Sequence, residues 1–154
     1  MLHNLRSAHN VGSIFRTADA AGVACVHLVG ITPSPVDRFG RERKEIAKVS
    51  LGAQASVSWN SHGDFASLCA SLKSGGFSLV GVEQDSRAVS LCEHDFPNKA
   101  AYIFGSEVGG LPESVLSQCD EIIYIPQYGA KESLNVSVAA GVVLFGRLYR
   151  GLSC

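Results

Sequence analysis

The sequence predicts an α/β fold: a mostly parallel β-sheet with helices on both faces. Three observations carry this. Segments of strand and helix character alternate along the 154 residues. The strand-like runs, such as Leu79-Val80-Gly81-Val82 and Ala101-Tyr102-Ile103-Phe104, are continuously apolar, as strands covered on both faces are. The segments between them repeat apolar residues at helical spacing and are punctuated by caps and glycines.

In chain order, Val11, Ile14, Phe15 and Ala18 follow the i, i+3, i+4, i+7 rule, with Asn10 as the expected N-cap and Gly22 as the stop. Residues 25–29 read as a buried strand and residues 30–40, with Pro33 and Pro35, as a loop. A short helix over 45–49 and a weak strand over 55–59 follow. Asp64 opens an amphipathic helix carrying Phe65, Leu68, Cys69 and Leu72 on one face, and Gly75-Gly76 ends it. After the strands at 79–82 and 101–104, Pro112 opens a short helix with Val115 and Leu116. The β-branched run at 121–125 is the last strand. Pro126 ends it by removing a backbone donor, which exposes residues 127–132.

Ser133 or Asn135 then caps a final helix reaching Arg150, whose Val136, Val138, Val142, Val143, Leu144, Phe145 and Leu148 spread around its whole circumference. A helix apolar all round must be covered all round, so a second copy of the chain is the expected extra cover.

A chain of this length, 46% hydrophobic and 18% charged, has room for one domain of ordinary size. No apolar run approaches the roughly 20 residues needed to span a bilayer, and the first ten residues lack the apolar core of a signal peptide, so a cytoplasmic protein is expected. Cys25, Cys69, Cys92, Cys119 and Cys154 are odd in number and include no C-x-x-C pair, and the five histidines show no ligand spacing. Neither a disulfide framework nor a metal is expected. The net charge is −1, but residues 1–50 hold seven Lys/Arg against four Asp/Glu. Arg38, Arg41, Arg43, Lys44 and Lys48, interrupted by Asp37, Glu42 and Glu45, form either a phosphate-facing patch or a solvated face with internal ion pairs.

Two loops leave the C-terminal ends of strands that read as neighbours, where open α/β sheets bind ligands. The glycines of the loop 105–110 allow close backbone approach, but no P-loop, dinucleotide fingerprint or nucleophile elbow is present. Glu107 would repel a pyrophosphate there and suits a cationic ligand or a hydrogen-bonding role. On the first helix, Arg16 projects opposite the apolar stripe, and three of its i±3 and i±4 neighbours, Gly12, Ser13 and Ala20, are small; Asp19 is the fourth. Either a partner approaches this face, or Arg16 is solvated and paired with Asp19.

Three stretches then stand out: NLRSAHNVGSIFRTADAAG at 4–22, IFGSEVGGLP at 103–112, and IP at 125–126 followed by ESLNVSVAA at 132–140, with KVSLGA at 48–53 between them. In this order they resemble the three motifs of the SpoU/TrmH family, RNA 2'-O-ribose methyltransferases that use S-adenosylmethionine. The resemblance implies the SPOUT fold, in which the C-terminal segment threads a deep trefoil knot, and a homodimer. It implies cofactor contacts from Val82, Gly105, Ile125, Ser133 and Leu134, and places Asn10, Arg16, Glu107, Ser133 and Asn135 in or beside catalysis, with Arg16 acting across the dimer interface. A guanidinium stays protonated, so Arg16 is expected to hold a phosphate and stabilise the forming alkoxide while Asn10 and Asn135 orient.

Against the family pattern, only Met1-Leu2-His3 precedes Asn4, so a missing or truncated first strand is expected. A single methyltransferase domain over 1–154 without an added RNA-binding domain is expected too. RNA would then be selected by the dimer groove and the 38–48 patch. Transfer RNA is the expected substrate. Ribosomal RNA, or a non-catalytic dimeric module that binds RNA or a nucleoside, are the alternatives.

Overall fold

The computed structural model describes residues 1–150, so Cys154 lies outside the described residues. Seven strands form one sheet: β1 (Leu2–His3), β2 (Val26–Val29), β3 (Trp59–His62), β4 (Ser78–Val82), β5 (Val89–Ser90), β6 (Ala100–Phe104) and β7 (Glu121–Tyr124). Their order is β3-β2-β1-β6-β4-β7-β5, and every pairing is parallel. The helices are α1 (Ala8–Ala20), α2 (Lys44–Ser50), α3 (Ala53–Ser56), α4 (Phe65–Ser74), α5 (Glu113–Leu116) and α6 (Val136–Arg150).

Continuous apolar strands are needed because both faces of the sheet are buried. Val80, Tyr102, Phe104 and Ile123 join Val11, Ile14, Phe15 and Val143 of α1 and α6 in one core. Their chain neighbours Leu79, Ala101, Ile103 and Ile122 point the other way and pack with Leu68, Cys69, Val115 and Leu116 of α4 and α5. Fully buried Leu, Val, Ile and Phe side chains such as these stabilise by about 1.5–3 kcal/mol each.

Several expectations shift by a residue or more. Ser7, not Asn10, caps α1: its hydroxyl accepts from the Asn10 N–H at 3.2 Å, and Asn10 lies inside the helix with its side chain buried. The weak strand expected at 55–59 is a helical turn at its start. Leu51 and Gly52, both at positive φ, turn the chain into α3, and the strand begins only at Trp59. The first strand is short, two residues in the middle of the sheet, where Leu2 pairs with both Leu28 and Phe104. The two-residue β5 had no sequence signal. Asp64 caps α4 as expected, accepting from the Ala66 and Ser67 N–H groups. Among the described residues no helix is long and apolar enough to cross a membrane.

The last helix is covered on one face only. Val136, Ala140 and Val143 are buried against α1 and the sheet, while Val138 is 50% and Val142 39% exposed, with Leu148 and Tyr149 continuing the bare stripe. The close packing of α1 on α2 depends on Gly12. A Cβ there would stand 2.8 Å from the Ile46 carbonyl oxygen and 3.0 Å from Val49 Cβ. Gly12→Val should therefore lower stability by about 2 kcal/mol, because helix backbones would have to part; a melting temperature unchanged in calorimetry would contradict this packing.

Candidate functional site

The loops after β4, β6 and β7 and the first turn of α6 enclose one cavity of about 610 Å³ at the C-terminal edge of the sheet. Strands β6 and β7 are not neighbours, as the sequence suggested, but flank β4. Their loops meet above its end. Val82, Gly105, Ile125, Ser133 and Leu134, the five residues expected around a cofactor, all line this cavity. Glu83, Gln84 and Gln127 line it as well, and no motif pointed to them; Glu83 and Gln84 follow β4 directly, and Gln127 follows the Pro126 that ends the last strand.

The floor is a folded glycine loop. The Ser106 N–H donates to Gly110 O and the Gly110 N–H to Ser106 O, at 3.2 and 3.0 Å, and the Gly109 N–H donates to Ser106 Oγ. A Cβ on Gly105 would lie 2.2 Å from the Gly110 carbonyl carbon, and one on Gly110, which has φ +58, would lie 2.2 Å from Glu83 Oε2. The Glu83 carboxylate accepts from the Leu111 N–H at 2.7 Å and the Gln84 N–H at 2.9 Å, binding the loop to the end of β4. The side-chain amides of Gln84 and Gln127 both donate to Ile125 O at 3.0 Å.

One wall is a hydrogen-bonded chain joining three distant segments. Glu107 Oε2 accepts from the Arg6 N–H at 3.0 Å, and its Oε1 accepts from the Ser7 N–H at 3.1 Å and Asn10 Nδ2 at 2.9 Å. Asn10 Oδ1 in turn accepts from Asn135 Nδ2 at 3.2 Å. Asn135 Oδ1 accepts from the Ser137 N–H and hydroxyl, capping α6. Burial works to raise the Glu107 carboxyl, but the hydrogen bonds from Arg6, Asn10 and Ser7 outweigh it and hold it below the usual range. The carboxylate suggested for a cationic ligand is thus engaged with the start of α1.

Arg16 stands apart. It is exposed on α1 and does not line the cavity. Gly12 beside it clears no approach path, since α2 fills that space. Asp19 accepts from the Ser56 hydroxyl instead of pairing with Arg16, and no ion pair among the described residues involves Arg16. The cavity lining includes two carboxylates and no Lys or Arg, an electrostatic setting that favours a cationic ligand over a phosphate. Among the described residues no group of three or more His, Cys, Asp or Glu is arranged to hold a metal.

The model of the SpoU rRNA methylase family matches residues 1–145. The chain is 35% identical over 145 residues to the 23S rRNA (guanosine-2'-O-)-methyltransferase RlmB of Acinetobacter baylyi, covering 94% of this chain and 56% of that protein. It is also 35% identical over 145 residues to the tRNA (guanosine(18)-2'-O)-methyltransferase of Thermus thermophilus, covering 94% and 71%. Among solved structures, the AdoMet-bound rRNA methyltransferase of Sinorhizobium meliloti superposes with a TM-score of 0.87 at 27% identity, covering 99% of this chain and 56% of that one. The chain spans little more than half the length of the first curated relatives it matches.

Because the folded state holds Glu107 below its ordinary value of 4.5, its contribution is complete above that value and is lost as pH falls through the lowered one. Glu107→Gln should cost about 1 kcal/mol at neutral pH, a figure kept small by the exposure of the carboxylate. The gap between parent and variant in denaturant titrations should close on acidification below pH 4.5. A gap that persists or widens in acid would show that the charge is not what holds α1.

Proposed function

The chain belongs to the SpoU rRNA methylase family, and from that premise we propose that it transfers a methyl group from S-adenosylmethionine to a ribose 2'-hydroxyl of RNA. The observation that carries this reading is the cavity, which gathers the five residues expected at the cofactor into one enclosure beside the Glu107–Asn10–Asn135 chain. Its volume suits a nucleoside-sized ligand. Val82, Phe104, Ile125, Leu134 and Val136 offer apolar contact for a base, and Ser106 and Ser133 offer hydroxyls. When bound, the cofactor supplies a methyl group activated on a sulfonium. Transfer RNA is the substrate we favour, since at equal identity the chain covers 71% of the Thermus thermophilus tRNA enzyme against 56% of the Acinetobacter baylyi rRNA enzyme; ribosomal RNA is second.

The side chains divide the work. Asn10 and Asn135 spend their amide groups on Glu107, on each other and on Ser137, so they hold geometry and do not take the proton. Glu107, engaged and held acidic, is a poor base. Ser133 is exposed and lines the cavity, which supports our assigning it to orient the ribose. Fixing the two reactants in line is the largest contribution, worth about 7–11 kcal/mol in favourable cases.

The missing cation comes from a second copy. We assign the bare Val138, Val142, Leu148, Tyr149 stripe of α6 to a homodimer interface, and Arg16 to the partner's cavity, where it holds the phosphate beside the target ribose. The proton then leaves to that phosphate or to water. A knotted path is part of the same proposal, supported by the return of residues 127–135 against the loop 105–110 in one enclosure. We take the chain as one methyltransferase domain, acting on cytoplasmic RNA.

Incubation with labelled S-adenosylmethionine and bulk RNA from a deletion strain, followed by nucleoside mapping, should yield a 2'-O-methylated ribose, read as one alkali-resistant linkage. Methyl transfer to a base would overturn the reaction. Arg16→Ala should cut transfer by about 10²-fold while S-adenosylhomocysteine, at about 100 times its Kd, still adds some 2.7 kcal/mol to the folded state. Full transfer by Arg16→Ala would remove Arg16 from the mechanism. Val142→Asp, exposed in the single chain, should leave a folded monomer in sedimentation and abolish transfer; a dimer at micromolar concentration would move the interface elsewhere.

A further inference from the structure

An exposed aromatic ring flanked by two arginines is carried by a loop rooted at the same sheet edge as the cavity. Phe39, in the loop between β2 and α2, is 66% exposed, and the guanidinium carbons of Arg38 and Arg41 lie 4.7 and 5.0 Å from its ring centroid. The ring is displayed by a closed turn. The Asp37 N–H donates to Arg41 O at 2.8 Å, and the Gly40 N–H donates to Asp37 O at 3.0 Å with Gly40 at φ +76. Asp37 Oδ1 accepts from the Phe39 and Arg41 N–H groups, and its Oδ2 accepts from Arg41 Nε at 2.8 Å. A turn built this way presents its ring already ordered, which removes an entropic cost from any binding event.

The charge around it is unbalanced. Residues 37–48 hold five cations against three acids in a chain of net charge −1. Asp37 is consumed in closing the turn, and Glu42 accepts from Gln54 Nε2. Arg38, Lys44 and Lys48 are exposed and have no ion-pair partner among the described residues. Position adds the third element. Strands β2, β1 and β6 are adjacent and parallel, so at about 4.8 Å per strand the loop after β2 is rooted roughly 10 Å from the glycine loop that floors the cavity. That cavity has no Lys or Arg of its own chain in its lining, so cations on the rim would add to the second copy's Arg16 in drawing an RNA to it.

We propose that the turn at residues 37–41 docks one unpaired nucleotide of the RNA, its base stacked on the Phe39–arginine cluster and its flanking phosphates drawn by Arg38 and Lys44. The proposal rests on the RNA methyltransferase reading above. An unpaired base fits because its π-face is free to stack, whereas paired bases in an A-form helix are stacked on each other and their deep groove is closed to side chains. A purely electrostatic patch would need no exposed ring.

The test uses the full chain and a fluorescein-labelled RNA of about 20 unpaired nucleotides, alone or annealed to its complement, with anisotropy as the readout. Phe39→Ala should weaken binding to the single strand by about 10-fold or more and to the duplex by less than about twofold. Phe39→Trp should restore single-strand binding, and Phe39→Leu, apolar but without a π-face, should not. Arg38→Ala should weaken both and flatten the salt dependence. Retention of the S-adenosylhomocysteine melting shift in each variant shows that the fold and cavity are intact. Equal loss on both RNAs, rescue by Leu, or a change of sedimentation in Phe39→Ala would overturn the stacking role, the last by marking the ring as an interface between copies. A parent chain that methylates RNA, with Phe39→Ala matching its kcat/KM, sinks this docking point alone. A parent chain that neither binds nor methylates RNA sinks the enzyme reading with it.

Discussion

The structure depends on how the Glu107 carboxylate is shared. Its two oxygens take three N–H donors from the chain just before and inside α1, and Asn10 passes the connection on to Asn135 at the head of α6. The N–H groups before and at the start of a helix have no intrahelical partner, and an anion there meets both their demand for acceptors and the positive end of the helix dipole. Segments about a hundred residues apart thereby become one wall, and the loop after β6 cannot move without α1 and α6. A cavity assembled from loops would otherwise be only as rigid as its most mobile member.

The same arrangement explains the division of charge along the sheet edge. The acidic groups of the cavity, Glu83 and Glu107, are both hydrogen-bonded by backbone N–H groups and not paired with lysine or arginine, so the enclosure keeps a mildly negative character. Arg38, Lys44 and Lys48, exposed and in no ion pair among the described residues, cluster around Phe39 and the start of α2, on a loop rooted two strands away. A cationic small ligand and a polyanionic chain can then approach one edge without competing for the same groups. The chain's small negative net charge hides this separation.

Packing sets the remaining constraint. Both faces of the parallel sheet are buried under helices of the same chain, which leaves α6 as the helix whose outer valines and leucine have no cover. Gly12, first read as a small neighbour that opens a path to Arg16, is small because α1 and α2 touch there. Arg16 is exposed on α1 and does not line its own chain's cavity.

Much of this was legible in the residues themselves. The apolar runs at 79–82 and 101–104, the stripe of α1, the Asp64 cap and the stop at Gly75-Gly76 are local signals, governed by backbone sterics and side-chain periodicity over a few positions, and they settled the fold class and most elements. The motif stretches likewise marked the loops that line the cavity. What they could not carry was decided between segments far apart. Asn10 looked like a cap because a short polar residue before an apolar stripe satisfies that rule, yet Ser7 caps the helix and Asn10 turns inward to Glu107 and Asn135, partners 97 and 125 residues away. The edge strand β3, with sequence WNSH, carries no apolar run because much of it faces solvent, and β5 is two residues long. Strand order, the committed state of Glu107 and the separation of Arg16 from the cavity belong to the tertiary structure alone, because a sequence specifies which groups need partners but only chain topology determines which partners come within hydrogen-bonding distance.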